Sequence, residues 1–172
     1  VPQGVRSRAD WSRLIRSGCG SIDPSDLLGD DLAPVTGDLS ASPAVLLGLN
    51  RTLQDAPRLY RRTGGLHAAA LFQPDGRLVA VKEDIGRHNA VDKIIGYALL
   101  RGIALADKLL LTTGRASHEM VTKSVRAGLP ILASVSSPTS LAVELAQRLN
   151  LTLVGYLRAT RMNVYTHAWR LT

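Results

Sequence analysis

The hydrophobic pattern of this chain sharpens at His67. Before that point polar residues and turn formers dominate. Asp23-Pro24-Ser25-Asp26 and Ala33-Pro34-Val35-Thr36-Gly37 favour loops, so residues 1–41 read as an irregular segment. A helix then begins. Ser42 can cap it, Pro43 suits its first turn, and Val45, Leu46, Leu49 and Leu53 share one face. A second short helix through Leu59 to Arg62 ends at Gly64-Gly65.

From His67 strands and helices alternate. Residues 66–72 and 78–84 read as two strands joined by the turn Gln73-Pro74-Asp75-Gly76. Asn89 can cap a helix that turns Ala90, Val91, Ile94, Ile95, Ala98 and Leu99 inward and stops at Gly102. Residues 107–113 form an apolar strand, and Ser117 starts a helix that ends at Gly128-Leu129-Pro130. Residues 131–135 form another strand. Ser137-Pro138 opens a helix with Leu141, Leu145 and Leu149 facing the core, and strands follow at 151–157 and 162–166. This order predicts one α/β domain over 42–172, a three-layer α/β/α sandwich around a mixed, mostly parallel sheet.

Composition narrows the chemistry. The 172 residues are 45% hydrophobic, enough for one domain with a core, but aromatics are only 4%, so Leu, Val, Ile and Ala must fill it. Lys and Arg outnumber Asp and Glu by 21 to 14, and the resulting +7 favours anionic partners. The single cysteine, Cys19, forbids an internal disulfide and a multi-cysteine zinc site, and suits a reducing cytoplasm. No apolar run is long enough for a membrane helix. The opening Val1-Pro2-Gln3-Gly4 has no initiator Met, which suggests a C-terminal fragment of a longer protein.

Four strand exits share a polar, glycine- and arginine-bearing composition. They are Glu83-Asp84-Ile85-Gly86-Arg87-His88-Asn89, Thr113-Gly114-Arg115-Ala116-Ser117-His118-Glu119, Ser136-Ser137-Pro138-Thr139-Ser140 and Arg158-Ala159-Thr160-Arg161-Met162-Asn163. Ligands of parallel α/β sheets bind at the carboxyl ends of the strands, so these segments should meet in one crevice. Gly86 and Gly114 permit close backbone approach, and helix starts offer N–H groups to anions. Arg87, Arg115, Arg158 and Arg161 supply forked donors for phosphate. A phosphorylated ligand of nucleotide or dinucleotide kind is expected, although no Walker or GxGxxG loop is present.

Cys19 lies in Arg16-Ser17-Gly18-Cys19-Gly20-Ser21, a glycine-flanked loop beside an arginine that favours thiolate. Such a thiolate could carry sulfur as a persulfide. His67, in Leu66-His67-Ala68-Ala69, is similar to the His-Ala-Glu of zinc deaminases, but Ala69 replaces the glutamate and the further cysteines are missing. His88, His118 and His167 could move protons or simply hold loops. Glu83 and Asp84 could neutralise Arg87. A nucleic-acid binder would need more exposed aromatics for stacking than one Phe, four Tyr and two Trp supply.

Gly64-Gly65-Leu66-His67-Ala68-Ala69-Ala70, Glu83 through Lys93, Gly114-Arg115-Ala116-Ser117 and Asn163-Val164-Tyr165-Thr166-His167 together resemble the formate dehydrogenase accessory (FdhD) family. The resemblance runs from about Ser17 to the C-terminus. It implies a cytidine-deaminase-like fold without the zinc site. It also implies a sulfurtransferase that takes persulfide sulfur from a cysteine desulfurase and passes it to the bis-molybdopterin guanine dinucleotide cofactor of formate dehydrogenase. That cofactor is a substrate rather than a permanent tenant, and no metal site is implied. The expected partners are the desulfurase, the catalytic subunit of formate dehydrogenase, the guanine-nucleotide cofactor and a second copy of the chain, but neither nucleic acid nor membrane. Cys19 takes the catalytic role. The cofactor contacts implied are Tyr156, Leu157, Arg158, Ala159, Thr160 and Arg161, joined by Gly86, Arg87, His88, Gly114, Arg115 and Ser117. Many members carry Cys-x-x-Cys-Gly where this chain has Cys19-Gly20-Ser21-Ile22, so a mechanism with a resolving cysteine is in doubt here. A non-catalytic chaperone that only binds the cofactor is the competing reading.

Overall fold

A computed structural model of the chain describes residues 32–172. Cys19 and its loop lie outside the described residues.

Helix α1 spans Pro43–Asp55 and α2 Arg58–Thr63; strands β1 (His67–Phe72) and β2 (Leu78–Asp84) follow. Then come α3 (Arg87–Leu100), β3 (Leu109–Thr112), α4 (His118–Arg126), β4 (Ile131–Ser134), α5 (Ser140–Arg148), β5 (Thr152–Gly155) and β6 (Asn163–Val164). A single 3-10 turn, Ala168–Arg170, ends the chain.

The six strands form one sheet in the order β2-β1-β3-β4-β5-β6. The β1–β2 hairpin closes as expected: the Gly76 N–H donates to the Gln73 carbonyl, and Gly76 takes φ +87°, where a side chain would be strained. The sheet is mixed, but less parallel than expected. Only β3–β4 and β4–β5 pair in parallel, while β1–β2, β1–β3 and β5–β6 are antiparallel. An apolar run reports that a strand is covered on both faces and says nothing of its direction. β1 is such a strand, central and antiparallel, with Ala68, Ala69, Ala70, Leu71 and Phe72 all fully buried.

The period of two sorts these side chains into two cores. Ala69, Leu71, Leu110, Leu132 and Leu153 face α3, α4 and α5. Ala68, Ala70, Phe72, Leu109, Leu111, Ile131, Ala133 and Val154 face the other way, toward Leu46, Leu49 and Leu53 of α1. The sandwich therefore has three layers with unequal helical cover. Each fully buried leucine contributes about 1.5–3 kcal/mol.

Three local expectations need correction. α3 starts at Arg87 with Gly86 as its cap residue; Asn89 instead lies within the first turn and donates its side-chain amide to Asp84 at 3.0 Å. Leu99 is 68% exposed, because it falls about 100° past Ala98 and off the stripe of Ala90, Val91, Ile94 and Ala98. In α5 the buried face is Ala142, Leu145 and Ala146, with Leu141 only half-buried.

Residues 32–41 are irregular, as their turn formers predict, yet they pack onto the core. The Val35 N–H donates to the Leu149 carbonyl, and Ala41 bridges Leu171. The buried Arg170 ties this segment down by donating to the Gly37 carbonyl and to Thr152 Oγ1.

Candidate functional site

β3, β4 and β5 run parallel and β1 runs against them. Their carboxyl ends therefore share one sheet edge with the carboxyl end of β2 and the start of β6. The connections at this edge are stitched together. His67 Nδ1 lies 3.3 Å from Thr113 Oγ1, Ser134 Oγ donates to the Gly114 carbonyl, and the Ala116 N–H donates to the Ser137 carbonyl. The Tyr156 N–H donates to the Ser136 carbonyl at 3.0 Å. The four polar segments thus converge as their composition predicts.

At the centre of the edge stand the first turns of α3 and α4. Asp84 organises the first: it accepts from the Gly86 N–H at 2.9 Å, from Asn89, and from Lys93. The Lys93 bond chiefly, then the Gly86 and Asn89 bonds, hold its carboxyl at a pKa of about 2. Glu83 accepts from the Leu59 and Tyr60 N–H groups, so it caps α2. The sequence gives no signal for that cap, since Glu83 is far from α2 along the chain. Asp84 and Glu83 therefore have other work than neutralising Arg87.

Gly114 is packed against Arg87: a Cβ there would lie 2.6 Å from Arg87 Cβ. This is why the third strand exit needs glycine. The two glycine amides are already used, Gly86 by Asp84 and Gly114 by Thr112 Oγ1 at 3.2 Å. The amides left to face a ligand are those of the first helical turns themselves. Neither α3 nor α4 has a side-chain cap, whereas Ser42 caps α1 and Thr139 caps α5. Among the described residues Arg87 Nε, Ser117 Oγ and His118 Nε2 are buried without a hydrogen-bond partner. His88 Nε2 lies 3.1 Å from a Glu119 carboxylate oxygen, but misaligned for a hydrogen bond. Burial, more than the neighbouring charges, lowers the His88 pKa. Burial first, and then the Arg87 charge, lowers that of His67.

At the other end of the edge the β5–β6 loop surrounds a cavity of about 290 Å³ lined by Tyr156, Arg158, Arg161 and Asn163. The loop is closed by the Arg158 N–H donating to the Arg161 carbonyl at 2.8 Å. Ala159, Thr160 and Arg161 are exposed. Leu157 is not: its side chain is fully buried in the α1-side core, and its N–H donates to the Ser134 carbonyl. Arg158 spends Nη1 on the Val135 and Leu157 carbonyls. Arg115 is exposed beside Gly114. Asn163 was missed as a candidate, although it begins the Asn-Val-Tyr-Thr motif and follows Arg161 closely.

The FdhD/NarQ family model matches residues 2–172. The chain belongs to this family. It is 42% identical to the sulfur carrier protein FdhD of Thermoplasma volcanium over 92% of its own length and 58% of that protein's. It is 52% identical to the protein of the same name from Streptomyces avermitilis, over 83% of this chain and 49% of that one. The chain thus spans about half the length of the FdhD relatives it matches. The crystal structure of a formate dehydrogenase accessory protein from Desulfotalea psychrophila superposes with a TM-score of 0.78 at 38% identity, covering 87% of this chain and 63% of that one. A guanine deaminase from Nitrosomonas europaea superposes with a TM-score of 0.52 at 15% identity, covering 81% of this chain and 88% of that one, so this FdhD/NarQ chain has a deaminase-like fold. No helix of the described residues is long and apolar enough to cross a membrane.

Proposed function

We propose that this chain is the cofactor-holding part of a sulfur carrier that serves formate dehydrogenase. The Cys19 thiolate attacks the outer sulfur of a cysteine desulfurase persulfide. The sulfur–sulfur bond of the donor breaks, the donor cysteine leaves as thiolate, and Cys19 carries the persulfide. The sheet edge holds the bis-molybdopterin guanine dinucleotide cofactor as substrate, and the carried sulfur passes to it. A homodimer offers one such edge to each guanine arm, in keeping with the expected partners.

One observation supports this reading above the rest. The two uncapped helix starts, with Arg87 between them, share a sheet edge with an arginine-lined cavity two strands away, about 10 Å by strand spacing. That spacing suits a nucleotide with its phosphates. The names borne by the relatives agree with a sulfur carrier for formate dehydrogenase.

The test is incubation with a cysteine desulfurase and cysteine, followed by intact mass measurement. The chain should gain one sulfur, and Cys19→Ala should gain none while still binding guanosine diphosphate. A wild-type chain that binds the nucleotide yet never gains sulfur would instead be a cofactor chaperone without sulfur chemistry.

A further inference from the structure

Two ends of the edge have different chemistry. The first turns of α3 and α4 offer amides and a packed arginine, which suit phosphate. The β5–β6 cavity offers an aromatic ring, arginines and a side-chain amide, which suit a flat heterocycle. Tyr156 stands out within it. It takes φ +51°, a left-handed backbone that a bulky residue rarely adopts, and its N–H is fixed to the Ser136 carbonyl. The turn leaves its ring 44% exposed in a protein with few aromatics, directly after the buried β5. Gly155, the residue before it, has no room for a Cβ: one would lie 2.7 Å from Pro138 Cδ and 3.0 Å from Tyr165 Cε2. The ring is thus held out from a fixed root.

We infer that the β5–β6 cavity is the nucleobase subsite, with Tyr156 as its stacking platform and Arg161 as the residue that selects guanine. The inference rests on the nucleotide-binding reading above and adds a direction to it. The base lies at β5–β6, and the phosphates point toward the starts of α3 and α4. Its volume, near the lower end of the usual 300–1,000 Å³ of ligand pockets, fits one nucleoside rather than a whole dinucleotide. Arginine donors match the O6 and N7 acceptors of guanine, whereas adenine presents a donor at the sixth position. Asn163 can give and accept one bond each at the base edge. Arg158 is a positioning residue, because its Nη1 is already bonded to the Val135 and Leu157 carbonyls and draws the loop onto the exit of β4.

Calorimetric titration of the whole chain with guanosine diphosphate, adenosine diphosphate and inorganic pyrophosphate tests this. Tyr156→Asn removes the ring while tolerating the left-handed backbone, so it separates stacking from strain. It should weaken guanosine diphosphate about tenfold or more and leave pyrophosphate unchanged. Tyr156→Phe should bind within about twofold of wild type. Arg161→Ala should erase the preference for the guanine over the adenine nucleotide. Arg87→Ala should weaken the nucleotides and pyrophosphate alike. If Tyr156→Asn binds guanosine diphosphate like wild type while Arg87→Ala does not, the base lies elsewhere and the subsite is refuted. If the wild-type chain binds neither nucleotide nor pyrophosphate, the nucleotide-binding reading itself fails, and the subsite with it.

Discussion

The α3–α4 junction and the β5–β6 loop sit on the same sheet edge but are built in opposite ways. At the junction a carboxylate gathers an amide, an asparagine and a lysine, and a glycine is pressed onto an arginine. At the loop, Ala159, Thr160 and Arg161 are exposed, and the backbone is closed by one bond between Arg158 and Arg161. A phosphate has one geometry and many donors to satisfy, so a fixed cradle serves it. A base is larger and flat, and a ring held out on a short loop can meet it. The contrast teaches that basic residues on one edge need not share one task.

The strongest way to break this comparison is to fill the junction. Gly114→Ala places a methyl 2.6 Å from Arg87 Cβ and 3.0 Å from its Cδ, atoms too near the α3 backbone to move freely. Overpacking of this kind costs about 1–3 kcal/mol. Thermal melting should fall accordingly, and pyrophosphate affinity should fall with it. Gly96→Ala is the control within the same helix. Nothing lies within 4 Å of the added methyl, and removing a helical glycine should stabilise by about 0.5–1 kcal/mol. If Gly114→Ala melts like wild type and binds pyrophosphate equally well, the junction is not a fixed cradle.

The sequence carries the fold at this level because its periods are clean. Alternation in β1 and β3 and the Gln73-Pro74-Asp75-Gly76 turn place every strand, and the motif glycines mark the edge. Strand direction was less legible, since burial on both faces gives β1 the same apolar run as β3. Of the site, the convergence of four exits could be read from composition. Which atoms remain available could not. Gly86 and Gly114 promise open amides, yet Asp84 and Thr112 already hold them. Leu157 lies in a polar-looking segment but belongs to the core, and the Arg158 guanidinium turns back onto carbonyls. Such local bonds depend on atoms brought together only after the sheet forms.

A second, smaller contrast sets the helix starts against each other. Thr139 Oγ1 accepts from the Ala142 N–H at 3.2 Å and caps α5, whereas Ser117 Oγ caps nothing at α4. Thr139→Ala should therefore cost about 1 kcal/mol in chemical denaturation. Ser117→Ala should leave stability nearly unchanged and lower the affinity for guanosine diphosphate. Equal stability losses in the two variants would mean that Ser117 is an ordinary cap, and the reading of α4 as an open anion-facing start would fail.

The gentlest probe is acid, which separates the junction's own charges by window. His67 is held neutral by burial and by Arg87, so its folded pKa lies below 6.5. The unfolded chain then binds the extra proton first, and the stability linked to His67 is full above pH 6.5 and lost as pH falls from there through the folded value. Asp84 has the same sign in a lower window: with its pKa depressed from 3.8 to about 2, its contribution is full above pH 3.8 and lost between those values. His67→Gln should flatten the decline in denaturation midpoint just below pH 6.5 and leave the lower one intact. Asp84→Asn should do the reverse, at a lower stability near neutral pH. A bound phosphate beside Arg87 offsets the positive charge that helps keep His67 neutral, so pyrophosphate should shrink the upper window in wild type. An upper window that pyrophosphate leaves untouched, despite measured binding, would place the anion away from Arg87 and undo the division of tasks along the edge.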